Sequence, residues 1–180
     1  MRTFLLDTNI WEYWFNKESH PEKYSNIEHQ IRELESLEKS SNEFAWRLGI
    51  SFVTLGEIDY GYNVMTKKER SREHEFRAFI NSKKPWIPQI DKHVAKEYGK
   101  LRAGLFETYA PKNKKRKGLR PEQLIDPVTS LKLGIQENDL WIAAQAVSRN
   151  LTLITNDKMD RISKVAGKSL HIDNWAINRK

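Results

Sequence analysis

Phe4-Leu5-Leu6-Asp7-Thr8-Asn9 is the stretch that decides the fold. A short apolar run stops at a carboxylate followed by two small polar residues. A buried strand reads this way when it delivers an acid to the carboxyl edge of a sheet, where open α/β folds build their sites. Leu151-Thr152-Leu153-Ile154-Thr155-Asn156-Asp157 repeats the pattern near the other end of the chain, as a core strand followed by Asp157. Between them, Ile50-Ser51-Phe52-Val53 is a second strand candidate, with Thr54 starting the helix after it. Trp86-Ile87-Pro88 reads as an edge strand, given its proline, and Leu170-His171-Ile172 as a last short strand.

Helical patterns fill the intervals. A first short helix covers about 10–15, and Ile27, Ile31, Leu34 and Leu37 recur at helical spacing. Residues 67–82 form a charged amphipathic helix, and Asp91 caps one in which Val94, Ala95, Tyr98, Leu101 and Leu105 face inward. Short helices are expected near 127–133 and 158–165, and the apolar run from Asp139 to Val147 spells a buried one. Strands alternating with helices predict an α/β fold, a parallel sheet with helices on both faces. At 180 residues and 21.2 kDa a single domain over 1–180 is expected.

Four acids sit at predicted strand ends or helix starts: Asp7, Glu57, Asp139 and Asp157. Each has an ordinary alternative. Asp7 could cap the first helix, although Asn9 would serve as well. Thr54-x-x-Glu57 spells a capping box. Asp139 shares a helix face with Ile142, Ala143 and Ala146, so it must be paired, capping or coordinating, and Asn138 could cap in its place. Asp157 could cap the helix after it. Jointly the four are harder to explain, because strand ends and the next helix starts lie along one edge of a parallel sheet. Carboxylates gathered there would repel, and a hard divalent cation, Mg²⁺ or Mn²⁺, would relieve the repulsion. The five histidines are scattered and cysteine is absent, which leaves no zinc or thiolate site.

Net charge is +7 and mean hydropathy −0.73. The excess is local: Lys112, Lys114, Lys115, Arg116, Lys117 and Arg120 lie between Pro111 and Pro121 without an acid, and the remaining charges nearly balance. This run is a candidate RNA-backbone contact, a docking site for a protein partner, or a solvated loop. Neither a signal peptide nor a membrane span is read, and a cytoplasmic setting is expected. Trp11, Tyr13 and Trp14 could stack on bases but read more readily as core or dimer-interface residues. A phosphatase would want an acid where Asn9 stands, and the glycine spacing from Gly99 to Gly104 lacks the Lys-Ser/Thr of a P-loop.

Taken in order, Leu-Leu-Asp7-Thr8-Asn9, Glu57, Asn-Asp139-Leu-Trp-Ile-Ala-Ala and Leu-Ile-Thr155-Asn-Asp157 resemble the PIN-domain ribonucleases, most closely the VapC-type toxins of toxin–antitoxin modules. The resemblance covers residues 3 to about 173. It implies a three-layer α/β/α domain with a central parallel sheet, usually dimeric, and Mg²⁺- or Mn²⁺-dependent endoribonuclease activity through an activated water. It further implies that Asp7, Glu57, Asp139 and Asp157 form the acidic site, with Asp7, Asp139 and Asp157 as metal ligands. Asn9 and Thr155 would support them by hydrogen bonding, and a cognate antitoxin would bind near the cleft. Against compact members the chain carries extra residues, expected around 20–46 and 110–136. Two further readings stay open: a catalytically degenerate RNA-binding or regulatory protein of the same fold, and a DNA structure-specific nuclease.

Overall fold

Three parallel segments from distant parts of the sequence form the heart of the sheet. The structure is a computed structural model and describes residues 1–41, 43, 45–66, 72–110, 119–126 and 128–178. β1 (Arg2–Leu6) pairs in parallel with β2 (Trp46–Ile50) on one side and with β3 (Thr152–Ile154) on the other. With β4 (His171–Asp173) the sheet order is β2-β1-β3-β4. β1 lies inside the sheet and is apolar on both faces, as parallel strands covered on both sides are. Phe4, Leu5 and Leu6 are all buried.

The helices alternate with these strands, giving the expected α/β fold with a central parallel sheet. They are α1 (Thr8–Phe15), α2 (Pro21–Ser40), α3 (Phe52–Val64), α4 (Glu73–Ser82), α5 (Lys92–Tyr109), α6 (Glu137–Arg149) and α7 (Asp160–Ala166). Among the described residues, no helix is long and apolar enough to cross a membrane. The described residues group into two compact units, residues 1–89, 151–157 and 172–180 in the first, 90–150 and 158–171 in the second.

The first unit contains β1, β2, β3 and α1–α4. Its core is aromatic: Trp11 and Trp14 of α1 are buried against Phe79, while Phe15 stacks on Phe76 at 4.9 Å. Trp175 covers Phe4 of β1 at 5.1 Å. Trp11 and Trp14 are therefore core residues, unavailable for stacking on bases. Burial of such rings is the main stabilising term here, each removing roughly 150–250 Å² from water.

In the second unit α5 packs against α6 and α7. Asp91 caps α5 by accepting from the His93 and Val94 N–H groups, and Arg149 of α6 pairs with the same carboxylate at 3.0 Å. Gly99 and Gly104 both lie inside α5, so their spacing forms no phosphate loop, and Gly104 serves packing. A Cβ there would come within 2.4 Å of Val165 Cγ1, so α7 can approach this closely only over a glycine. Asn150 ends α6 in the left-handed conformation, φ 52°.

Local structure departs from the sequence expectations at several points. β2 ends at Ile50, and Phe52 and Val53 already belong to α3. Ser51 is the N-cap, its Oγ accepting from the Val53 N–H at 3.0 Å. Thr54 therefore sits inside the first turn and caps nothing. Residues 128–130 form a turn in place of a helix, because the Asp126 carboxylate takes the N–H groups of Val128 and Thr129. The flanking Ile125 and Lys132 form an antiparallel bridge. Ala95 is exposed, not core-facing. Trp86 alone bridges Gly49 beside β2, so the expected edge strand reduces to one residue.

Candidate active site

The site begins where β1 runs out of apolar residues. Leu6 is the last sheet residue, and the Asp7 N–H still donates to the Ile154 carbonyl of β3 at 2.9 Å. Asp7 is also the N-cap of α1, its Oδ1 accepting from the Thr8 N–H at 2.8 Å. Of the two candidate caps, Asp7 and not Asn9 takes the position. The carboxylate is only 3% exposed, so it must find hydrogen-bond donors. It finds them at Oδ2, from the Thr155 hydroxyl at 2.7 Å and the Asn9 amide at 3.2 Å.

Thr155 and Asn9 organise the segment after β3. Thr155 Oγ1 accepts from the Asp157 N–H at 3.0 Å while donating to Asp7. The Asn9 side chain bridges the two segments in both directions. Its Nδ2 donates to Asp157 Oδ2 at 2.9 Å, and its Oδ1 accepts from the Asn156 N–H at 3.0 Å. Asp157 therefore does not cap α7, which starts three residues later at Asp160.

Glu57 joins from α3. Its Oε2 accepts from the Thr8 hydroxyl at 2.5 Å, which ties the first turn of α1 to α3. This contact replaces the capping box, because Thr54 is not the cap. Asp7, Asn9, Glu57, Thr155 and Asp157 are thus brought into one hydrogen-bonded network within the first unit.

The electrostatics derive from burial. The Asp7 carboxyl is pushed up from 3.8 to about 6, chiefly by desolvation, while the Thr155 and Thr8 hydrogen bonds pull it down and the Asp157 and Glu57 charges push it up. Glu12, one turn beyond Thr8 on α1, is raised in the same way by desolvation, then by Glu57 and Asp7. Thr8 and Glu12 were missed in the sequence. Their signal was available, since Thr8, Glu12 and Asn16 fall at helical spacing on one face of α1.

Asp139 belongs to the second unit. It is the third residue of α6, and its Oδ2 accepts from the N–H of Gln136, the N-cap, at 3.0 Å. The cap is therefore Gln136, not Asn138. Lys112, Lys114, Lys115, Arg116 and Lys117 lie outside the described residues; Arg120 is exposed, just before a short 3₁₀ turn, Pro121–Gln123.

The donor set suits a hard cation. Oxygen is the only ligand type offered, and two carboxylates, Asp7 and Asp157, are linked through a single amide. Among the described residues, no three His, Cys, Asp or Glu side chains form a ready metal cage. Mg²⁺ does not require one, because it is held through one or two carboxylates with water and substrate phosphates completing the shell.

The chain is similar to known proteins over nearly its whole length. The PIN domain family model matches residues 4–168. Ribonuclease VapC2 of Rickettsia felis is 29% identical over 172 residues, covering 96% of this chain and 97% of that protein. The crystal structure of Rickettsia felis VapBC2 bound to a promoter DNA fragment superposes with a TM-score of 0.60 at 28% identity, covering 96% of this chain and 98% of that one. A VapBC-1 structure from nontypeable Haemophilus influenzae shares the fold, with a TM-score of 0.60 at 20% identity over 97% and 99% of the two chains. From the acid that ends β1 to the Thr155–Asp157 segment after β3, this chain belongs to the PIN domain family.

Proposed function

We propose that this protein is a Mg²⁺- or Mn²⁺-dependent endoribonuclease and the toxin of a toxin–antitoxin module. The observation that carries the reading is the buried Asp7 carboxylate. It is hydrogen-bonded into a network with Asp157 and lies in the field of Glu57, an arrangement of like charges that a divalent cation would stabilise. The likeness to Ribonuclease VapC2 and to a VapBC2 complex supports the substrate class and an antitoxin partner. A cytoplasmic setting goes with that role.

In this reading Asp7 and Asp157 hold the ion, and the sequence motif gives Asp139 a ligand role as well. The chemistry the ion supplies when bound is Lewis-acid activation of water and neutralisation of charge on the phosphate. Asp7 is ionised at neutral pH, being near 6, and its three hydrogen bonds fix both oxygens before substrate arrives. Thr155 and Asn9 hold the Asp157 backbone and side chain against Asp7. Thr8 orients Glu57 to position the attacking water. The basic residues 112–120 hold the RNA backbone by charge.

The test is incubation of total RNA with wild type, Asp7→Asn and Asp139→Asn, with and without EDTA, then mapping of the new ends. Cleavage by wild type alone, lost in EDTA, is expected. Cleavage that persists in EDTA would remove the metal from the mechanism. Equal cleavage by either variant would remove that residue from the site. RNA binding without any cleavage would favour the degenerate, regulatory reading.

A further inference from the structure

Beyond the acidic network, α1 packs against α3. Thr8 of the first turn of α1 is joined to Glu57 of α3 by their hydrogen bond. Eight residues after Thr8, roughly 12 Å along the helix axis, Phe15 and Asn16 line a cavity of about 230 Å³ together with Tyr62, Met65 and Arg72.

The cavity's lining is specific. Phe15 and Tyr62 present half-buried aromatic rings, and both rest on Phe76, which is 3% exposed, at 4.9 and 6.2 Å. That support fixes the ring planes in advance of any ligand. The Arg72 guanidinium lies 5.3 Å from the Phe15 ring centre. Asn16 adds an amide able to donate and accept, and Met65 an adaptable apolar wall. Flat aromatic faces, a planar cation and one amide are what an unpaired base with its flanking phosphate requires. The cavity is large enough for one heterocycle.

The geometry points to this cavity as a nucleobase subsite: an unpaired base of the substrate stacks against Tyr62 and Phe15, held at its phosphate by Arg72, two helical turns from the scissile position. The subsite deepens the ribonuclease reading and rests on it. It would make cleavage depend on the identity of a nucleotide displaced from the cut, with Asn16 as the group that reads the base edge.

The experiment uses the full chain carrying Asp7→Asn, to prevent turnover, and three fluorescein-labelled RNA hexamers: oligoadenylate, oligouridylate and an abasic hexamer. At least one base-bearing hexamer should bind more tightly than the abasic one. Tyr62→Ala should weaken that binding roughly tenfold, the effect of losing one stacked base, and leave abasic binding unchanged. Tyr62→Phe keeps the ring and should bind as the parent does. Thermal unfolding of each variant separates lost stacking from lost fold, and if Tyr62→Ala unfolds, Asn16→Ala takes its place, since loss of the base-edge contact should also weaken base-bearing RNA and leave abasic binding unchanged. Equal affinity for the abasic and base-bearing hexamers, or an equal loss on both in a folded variant, overturns the proposal. Unchanged RNA binding with weakened binding of a purified antitoxin also overturns it, in favour of a protein-docking pocket. Wild-type cleavage measured in parallel keeps the two readings apart, since it can persist when the subsite fails.

Discussion

Replacing Asp7 by Asn is expected to make the metal-free protein more stable at pH 8 while abolishing cleavage. The wild-type carboxyl is raised from 3.8 to about 6, mainly by desolvation. At 1.36 kcal/mol per unit, keeping it ionised costs the folded state about 3 kcal/mol. Because the folded value lies above the unfolded one, the penalty is absent below about pH 4, grows between about 4 and 6, and is complete above. An amide keeps the oxygen that caps α1 through the Thr8 N–H. Its nitrogen would face the Thr155 hydroxyl, which can turn to accept, and the Asn9 amide, which cannot because Asn9 Oδ1 is held by the Asn156 N–H. That clash costs about 1–2 kcal/mol. The net gain at pH 8 is about 1–2 kcal/mol, or roughly 3–6 °C in Tm for a chain of this size. Thermal unfolding by circular dichroism in EDTA from pH 4 to 8 measures it. The two curves should converge and cross as pH falls toward 4. Excess Mg²⁺ or Mn²⁺ should then stabilise wild type by about 2.7 kcal/mol at a hundred times Kd, seen as a higher Tm, and leave the variant where it was. A variant less stable than wild type at pH 8, or a difference independent of pH, would refute the assignment of Asp7 as a buried, uncompensated carboxylate.

Thr8→Val should lower kcat with little change in KM, because it releases Glu57 without touching the substrate, and Thr8→Ser should restore activity; steady-state cleavage of a mapped substrate decides, and equal rates for both variants would count against the Thr8–Glu57 contact. Gly104→Ala should destabilise by about 1–3 kcal/mol in urea unfolding despite alanine's better helix propensity, because its Cβ would collide with Val165; a stabilised variant would mean that α7 yields without cost. Neutralising Lys114, Lys115, Arg116 and Lys117 should flatten the salt dependence of RNA binding by about 0.7 per lost phosphate contact in a log–log plot. An unchanged slope would take that run out of the RNA interface.

Legibility in the sequence tracked the range of the forces involved. β1 and β3 were readable because their burial is local: Phe4-Leu5-Leu6 and Leu153-Ile154 are apolar on both faces, and each run ends at the residue that leaves the sheet. Asp91 and Val94 marked α5 for the same reason, since a cap and its first buried residue lie within one turn. Errors arose where two local signals competed. Ser51 and Thr54 are both good caps, and the flanking Ile50 and Phe52-Val53 suit strand and helix alike; the end of β2 against Trp86 settled the choice. Asp126 likewise ended a helical pattern by capturing two backbone N–H groups in a turn.

The site divides along the same line. The sequence supplied the acids, but not what each acid binds, because the partners are 49 residues away for Thr8 with Glu57 and 148 for Asn9 with Asp157. This separation changes what the residues beside the acids are for. Asn9 is not a spare helix cap. It spans two strand ends through four contacts, to Asp7, the Thr155 hydroxyl, Asp157 and the Asn156 N–H. Thr155 does the same with one hydroxyl, donating to Asp7 and accepting from the Asp157 N–H. Neutral groups of this kind can hold two carboxylates near one another without compensating their charge. A lysine in either place would neutralise the pair and leave nothing for a metal to do. The structure therefore keeps the Asp7 carboxylate buried, ordered and electrostatically unfavourable, the condition in which a divalent cation and an RNA phosphate together gain the most by binding.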